Sequence, residues 1–443
     1  MKSKVAIVKT NPKTVINDYK KVLDFSDFQK IIKNDITSII KLNLSWTLYF
    51  PACSTEPWQL EGLLNYMNKN NYKKIISVEN QTVVTHPWKG AYNNKWLPIL
   101  KKFNVNYQPL TNEKWITYKP KSDILAMYEI FDEILVPEIF KNTNIVHLPT
   151  VKTHGHTTTT GSMKNAFGGL IPKYRHHAHK KIHEILVDLL SIQKEIHNGI
   201  FAVMDGCVCG GGGGPRTMKP YIGNIILASP DQVAIDAVSA KIMGFNPLSI
   251  DYINKAHDIG LGTGDINQIE IVGIKKQDFD KLNFNFRVSK SPIIRWDQIL
   301  RKKTAKRWSH DLLFHSPIFK TFIFSSEFYH DYFWYPSIGK TIIKDFQKND
   351  VEWRKFLFSF KTQVTSPLTE NFFNTDKEDN LTGYIIQTNI FPFHEGFSIE
   401  KLYNAIRSVV SVGFKGIVFL ISMFGKEVKV ETTPEPPPHT VYG

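Results

Sequence analysis

Cysteine is nearly missing from this chain. Three thiols, Cys53, Cys207 and Cys209, among 443 residues cannot build a disulfide framework, nor can they supply four thiolates to an iron–sulfur cluster. Such sparing use points to a reducing compartment. Also missing is the apolar region of a signal peptide. The chain begins Met-Lys-Ser-Lys-Val-Ala-Ile-Val-Lys-Thr and enters a strand-like run at once, so a cytoplasmic location is expected. Long hydrophobic runs are few. The apolar stretch 408–424 has 17 residues and carries Lys415, which is short for a spanning helix, so an interfacial or buried helix is expected there. No internal repeat and no recognised nucleic-acid module is seen.

What is present describes a globular, basic protein. The hydrophobic fraction of 42% and charged fraction of 22% are ordinary for folded domains, and 443 residues allow two or three of them. A formal charge of +14 and a pI near 9.3 call for an anionic partner: nucleic acid, an anionic membrane face, or a phosphorylated or carboxylated small molecule.

The first 275 residues alternate short apolar runs with amphipathic stretches, the pattern of an α/β protein with a mixed or mostly parallel sheet layered with helices. Strands are expected over 4–9, 37–42, 74–78, 144–148, 200–204, 224–228 and 268–272, several of them rich in Ile and Val. Helices are expected over 58–68, 96–103, 124–133, 179–197, 231–243 and 249–257. Ser229-Pro230-Asp231 reads as an N-cap, a proline and an acid at a helix start, and Gly244 as the residue just past its end. Residues 276–362 form a second region, basic and aromatic-rich. The run Arg301-Lys302-Lys303-Thr304-Ala305-Lys306-Arg307 precedes a stretch, 308–360, in which about three residues in ten are aromatic. Two readings of it stand: a small, mainly helical, aromatic-cored region, or a surface that rests on an anionic membrane or a hydrophobic partner. Residues 363–443 are expected to hold a linker, the apolar segment and a disordered tail.

The chemistry concentrates in 149–197. Counting from His147, eight of the fifteen histidines lie within this stretch, mixed with Lys, Thr and Gly, and carboxylates are all but absent before Glu184. Lys152-Thr153-His154-Gly155-His156 follows the strand over 144–148, at the carboxyl end, where open α/β sheets bind ligands. If the segment is extended, His154 and His156 face one ligand; such a pair holds a divalent ion, moves a proton or binds an anion. The alternative is a polar loop whose side chains satisfy backbone groups. Next comes a second apparent loop, from Thr157 through Thr160, Lys164, Asn165 and Gly168 to Gly169. It offers hydroxyls, one cation and backbone N–H groups to a phosphate or carboxylate, unless it is simply a Ser/Thr-rich turn. It is no Walker loop, since Asn165 follows the lysine and the glycines come later.

His176, His179 and His183 share one stripe if helical, as a metal site, a cationic wall or a solvated helix start. No His-Glu-x-x-His pattern accompanies them. Asp205 closes the strand over 200–204, ahead of a glycine loop from Gly210 to Gly214 and then Pro215-Arg216. Asp205 is a candidate base or carboxylate partner across the cleft, and Arg216 a bidentate anion partner. The glycines depart from the dinucleotide fingerprint, because no helix clearly follows them. Cys207 and Cys209, two apart, are a weak redox or metal pair.

Lys41-Leu42-Asn43-Leu44, Lys152-Thr153-His154, Thr160-Gly161-Ser162-Met163-Lys164-Asn165-Ala166-Phe167-Gly168, Met204-Asp205-Gly206, Gly214-Pro215, and Asp231 through Ala237 followed by Met243-Gly244 occur together in order. In this the chain resembles the domain of unknown function 362 family, over about residues 4–275. The resemblance implies no general reaction. Many relatives add a ferredoxin-like iron–sulfur module, but the cysteine runs for it are missing here, so no iron–sulfur cluster is expected. The expectation is an enzyme for an anionic small molecule, with or without a divalent metal. Lys152, Thr160, Asn165, Gly168 and Arg216 would bind the anion, and His154, His156, Lys164 and Asp205 would do the chemistry. A metal would use His154, His156, His176, His179 and His183. The competing expectation is a non-enzymatic scaffold held at an anionic membrane by its C-terminal region.

Overall fold

The computed structural model describes residues 2–82, 84–172, 176–303 and 318–349, with 352, 353 and 356. Twelve strands occur among them: β1 (Ser3–Lys9), β2 (Ser38–Lys41), β3 (Ile75–Glu79), β4 (Asn106–Pro109), β5 (Trp115–Thr117), β6 (Leu135–Pro137), β7 (Thr143–His147), β8 (Thr150–His154), β9 (Thr158–Thr159), β10 (His197–Gly213), β11 (Thr217–Ser229) and β12 (Ile269–Val272). Ten of them make one mixed sheet in the order β12-β1-β11-β10-β7-β2-β3-β4. Off this path β8 pairs with β10 and β9 with β8, while β5 and β6 form a separate pair. Neighbours from β10 through β4 are parallel, and the β10–β11 hairpin and the β1–β11 pair are antiparallel.

Two-residue periodicity explains why the strands read as unbroken apolar runs. Val5 and Ile7 point into one core while Ala6 and Val8 point into the other, and Ile39/Ile40, Ile145/Val146 and Ile225/Ile226 divide in the same way. Helices Gly161–Leu170, Ile182–Ile196, Gln232–Met243 and Asp251–Asp258 cover one face. Helices Val15–Phe25, Pro57–Lys69 and Trp96–Lys102 cover the other. The sheet is therefore buried on both sides, as a mostly parallel sheet must be.

The described part of the C-terminal region is helical: Pro292–Lys303, Ile318–Glu327, a π-helical stretch Phe328–Gly339 containing Pro336, and Lys340–Asn349. Its aromatics join the second core. Trp334 packs against Trp46 and Phe50, and Trp353 against Trp58. Among the described residues no helix is long and apolar enough to cross a membrane. The linker, the apolar segment 408–424 and the tail fall outside the described residues.

Three sequence expectations need correction. The glycine run after Asp205 is no loop. β10 continues to Gly213 and pairs with β11 throughout, because bare glycine backbone lets Phe286 and Met218 pack flat against it. Gly161–Leu170 is a helix, although the glycines and hydroxyls suggested a turn. The helix Gln232–Met243 is capped by Asp231, whose carboxylate accepts from Val233 and Ala234 N–H, rather than by Ser229. Gly244 does end that helix, at φ +101°.

Candidate functional site

Strand order reverses at β2. From it the chain proceeds outward to β3 and β4, while β7 and β10 lie on its other side. The carboxyl ends of β2 and β7 thus flank the switch point, where open α/β sheets leave a crevice. Lys41 ends β2, Glu79 ends β3, His147 ends β7, and Lys152 and His154 lie on β8 just beyond.

These side chains are buried and joined to one another. Lys41 Nζ pairs with Glu79 Oε1 at 2.8 Å. The Gly161–Leu170 helix lies directly on this pair, and a Cβ at Gly168 would stand 3.3 Å from Lys41 Nζ, a tight contact that glycine avoids. Asn165, on the same helix, is the hub. Its amide donates to Lys41 O at 3.1 Å and lies 3.3 Å from His147 Nδ1, while its oxygen accepts from Asn43 Nδ2 at 3.2 Å. His147 Nε2 meets Gln193 Oε1 at 2.6 Å, and burial holds the imidazole down at about 3, hence neutral.

Lys152 is fully buried. Its ammonium donates to Asn43 Oδ1 at 2.6 Å and to Thr150 Oγ1 at 2.7 Å, both neutral acceptors. Among the described residues no carboxylate forms an ion pair with it. Burial pushes its pKa down to about 8, only partly offset by Cys53 and Glu56 nearby. Cys53 also feels Arg216, so one thiol lies within the field of both Lys152 and Arg216. Burial drives that thiol up to about 12, and it donates to Pro215 O at 2.9 Å. Arg216 is half-buried at the turn between β10 and β11, in the field of Asp331 and Glu327.

The histidines gather beside Lys152. His154 Nδ1 accepts from His156 N–H at 3.1 Å, so its proton sits on Nε2. Ring centroids of His154 and His156 are 5.8 Å apart, and those of His156 and His179 5.0 Å apart. Lys164 Nζ lies 5.0 Å from the centre of the Phe167 ring, itself against His179. Burial keeps His154 well below the ordinary imidazole value, with Lys164 adding to the effect, and it holds His156 at about 4. Neutral imidazoles are the form that ligates a metal or accepts a proton. Among the described residues, no group of three or more His, Cys, Asp and Glu is placed to hold a metal ion.

The other expected site residues are spread around this group. Asp205 pairs with Thr150 across β10 and β8 and faces the second core, where it accepts from Tyr19 Oη at 2.6 Å, Trp58 Nε1 at 2.8 Å and Cys207 N–H at 3.1 Å. His183 stacks on Tyr252 and its ring hydrogen-bonds the backbone of His156, while the 3₁₀ turn His176–Lys181 breaks the expected helical stripe. The His176 side chain lies outside the described residues. Thr160 is buried against Lys152, its N–H on Lys152 O at 3.1 Å. Cys207 and Cys209 enter opposite cores, since a bulge between Gly206 and Val208 reverses the alternation.

Glu79, His147 and Gln193 belong to none of the motifs that mark the site in the sequence. Glu79 and His147 had a usable signal, each being a polar residue ending a β-rich run. Gln193 had none.

Against known proteins, residues 39–241 match the model of the family described as Domain of unknown function (DUF362). Over 175 residues the chain is 26% identical to a thylakoid-associated protein of Synechocystis sp., an alignment covering 39% of this chain and 52% of that protein. The chain thus spans about half the length of this curated relative. No solved structure matches.

Proposed function

Because residues 39–241 belong to the domain of unknown function 362 family, whose description assigns no reaction, we propose a function from the site itself. The chain is an enzyme that binds a small anion, a phosphate or carboxylate, at the carboxyl edge of β2, β7 and β8. Lys152 carries this reading. A fully buried ammonium held only by neutral oxygens is costly, and an anionic ligand supplies the missing counter-charge. Lys164 and Arg216 add cationic reach on either side, and His154 and His156 serve as acid–base groups. The proposal includes a divalent ion held by His154 and His156, with His179 adjoining.

The test is thermal unfolding of the full chain in phosphate, sulfate and acetate against a chloride control. A ligand at a hundred times its Kd adds about 2.7 kcal/mol to stability. Stabilisation of the wild type that is absent in Lys152→Met supports the proposal. No stabilisation by any of the three anions sinks it.

One observation favours a second reading, a scaffold at an anionic membrane. Phe324, Phe328 and Tyr332 form a stacked ladder with centroids 6.3 Å apart, and they are 36%, 41% and 53% exposed. Exposed Lys340 and Lys344 lie further along the same region. Aromatic rings beside lysines suit the headgroup layer, and the thylakoid association of the Synechocystis protein agrees with this. Co-sedimentation with phosphatidylglycerol vesicles decides. Pelleting that is lost on changing the three rings to serine favours the scaffold, and no pelleting removes it.

A further inference from the structure

His156 lacks a carboxylate from its own surroundings in sequence, and the fold brings one from far away. Asp297 Oδ2 stands 3.6 Å from His156 Nε2. Asp297 lies on the Pro292–Lys303 helix, outside the family-matched residues 39–241. Its carboxylate is held from the other side by Arg301, one turn on, through Nε at 2.8 Å and Nη2 at 2.9 Å. The helix is seated on the histidine loop at two more points. Gln298 Nε2 donates to Gly155 O at 3.2 Å, and Ile294 packs so closely on Gly155 that a Cβ there would stand 3.0 Å from it. Asp297 and Arg301 are both largely buried. A clamped, buried carboxylate aimed at an imidazole is the arrangement that fixes ring orientation and raises proton affinity.

We infer that the Pro292–Lys303 helix completes the site, with Asp297 as the positioning residue for His156. This rests on the reading of His156 as an acid–base group. Asp297 faces His156 Nε2 and fixes the ring, while Arg301 keeps that carboxylate in place. The other charged groups bearing on His156 are Arg301, Lys164 and Lys290, and the His154 and His179 rings lie beside it. The inference makes the C-terminal region part of the chemistry rather than only an attachment.

Ring-nitrogen NMR of the full chain at one fixed, neutral pH tests it, with His156→Ala used to assign the resonances. In the wild type His156 is expected as one tautomer, its proton on Nε2 facing Asp297. Asp297→Asn is expected to weaken that preference, giving a mixture of tautomers, and to leave His147 unchanged. Asp297→Glu is expected to restore the single form. Should Asp297→Asn not fold, Arg301→Gln frees the carboxylate from its clamp and must move the same resonances. His156 ring-nitrogen shifts unmoved in a folded variant overturn the inference. Sulfate binding by the wild type separates the two proposals: its failure removes the anion reading, whereas the tautomer change on Asp297→Asn stands or falls independently.

Discussion

Replacing Lys152 by methionine removes the charge and keeps much of the volume. In the folded chain the amine falls from its ordinary 10.5 to about 8 because it is fully buried. At about 1.4 kcal/mol per tenfold change in proton affinity, that is a cost of about 3 kcal/mol whenever the amine is charged. The sign follows from proton counting. Below pH 8 the amine is charged in both folded and unfolded chains, and the full cost applies. Between pH 8 and 10.5 the unfolded chain holds more protons, so stability rises with pH and the cost is relieved. Lys152→Met has no such amine. Its loss of hydrogen bonds to Asn43 and Thr150 is worth about 1 kcal/mol, since the Ser45 hydroxyl still reaches Asn43 Oδ1 at 3.3 Å. Denaturant unfolding of both proteins between pH 7 and pH 10, in a chloride buffer, measures the difference. The wild type should gain about 2.5 kcal/mol on the variant across that range. Parallel curves would refute the account of Lys152 as an uncompensated buried cation.

Asp236 predicts the opposite slope. Burial raises its carboxyl to about 7, while it accepts from Ser162 and Met163 N–H at the start of the Gly161–Leu170 helix. The folded chain therefore binds the proton more tightly, and stability falls as pH rises from 4 through 7. Asp236→Asn should flatten that decline in a pH series of melting temperatures, and an unchanged slope would contradict the assignment. Asn165→Ala deletes the hub between Lys41, Asn43 and His147, and should cost about 2–3 kcal/mol in urea unfolding. A loss under 0.5 kcal/mol would mean the network is solvated. Elemental analysis of the purified chain checks the metal proposal. One divalent ion per chain is expected, lost in His154→Ala/His156→Ala, and equal stoichiometry in both proteins removes the metal.

Much of the frame was legible in order along the chain. Ile and Val runs marked seven strands of the main sheet, because a parallel sheet buried on both faces needs apolar residues at every position. The motif at Lys152–His156 was legible as a site because it follows such a run, and the ends of strands are where polar residues collect. Where local cues misled, packing overruled propensity. Gly210–Gly213 and Gly161–Gly169 look like turns. Yet the first is strand because flat backbone accepts Phe286 and Met218, and the second is helix because Asp236 accepts its first N–H groups, with Gly161 at φ +62° leaving room for that carboxylate.

Which side chains meet was decided by tertiary structure alone. Residue types and spacing placed Lys152, His154 and His156 near one another, since neighbours on one short strand have little freedom to separate. They could not choose among distant carboxylates. Asp205 belongs to Tyr19 and Trp58, which helices far along the chain bring to β10, and Asp297, more than a hundred residues from His156, is carried to it by a docked helix. A contact across such separation depends on how helices seat on the sheet edge. That is settled by the summed packing of many residues, and no local pattern records it.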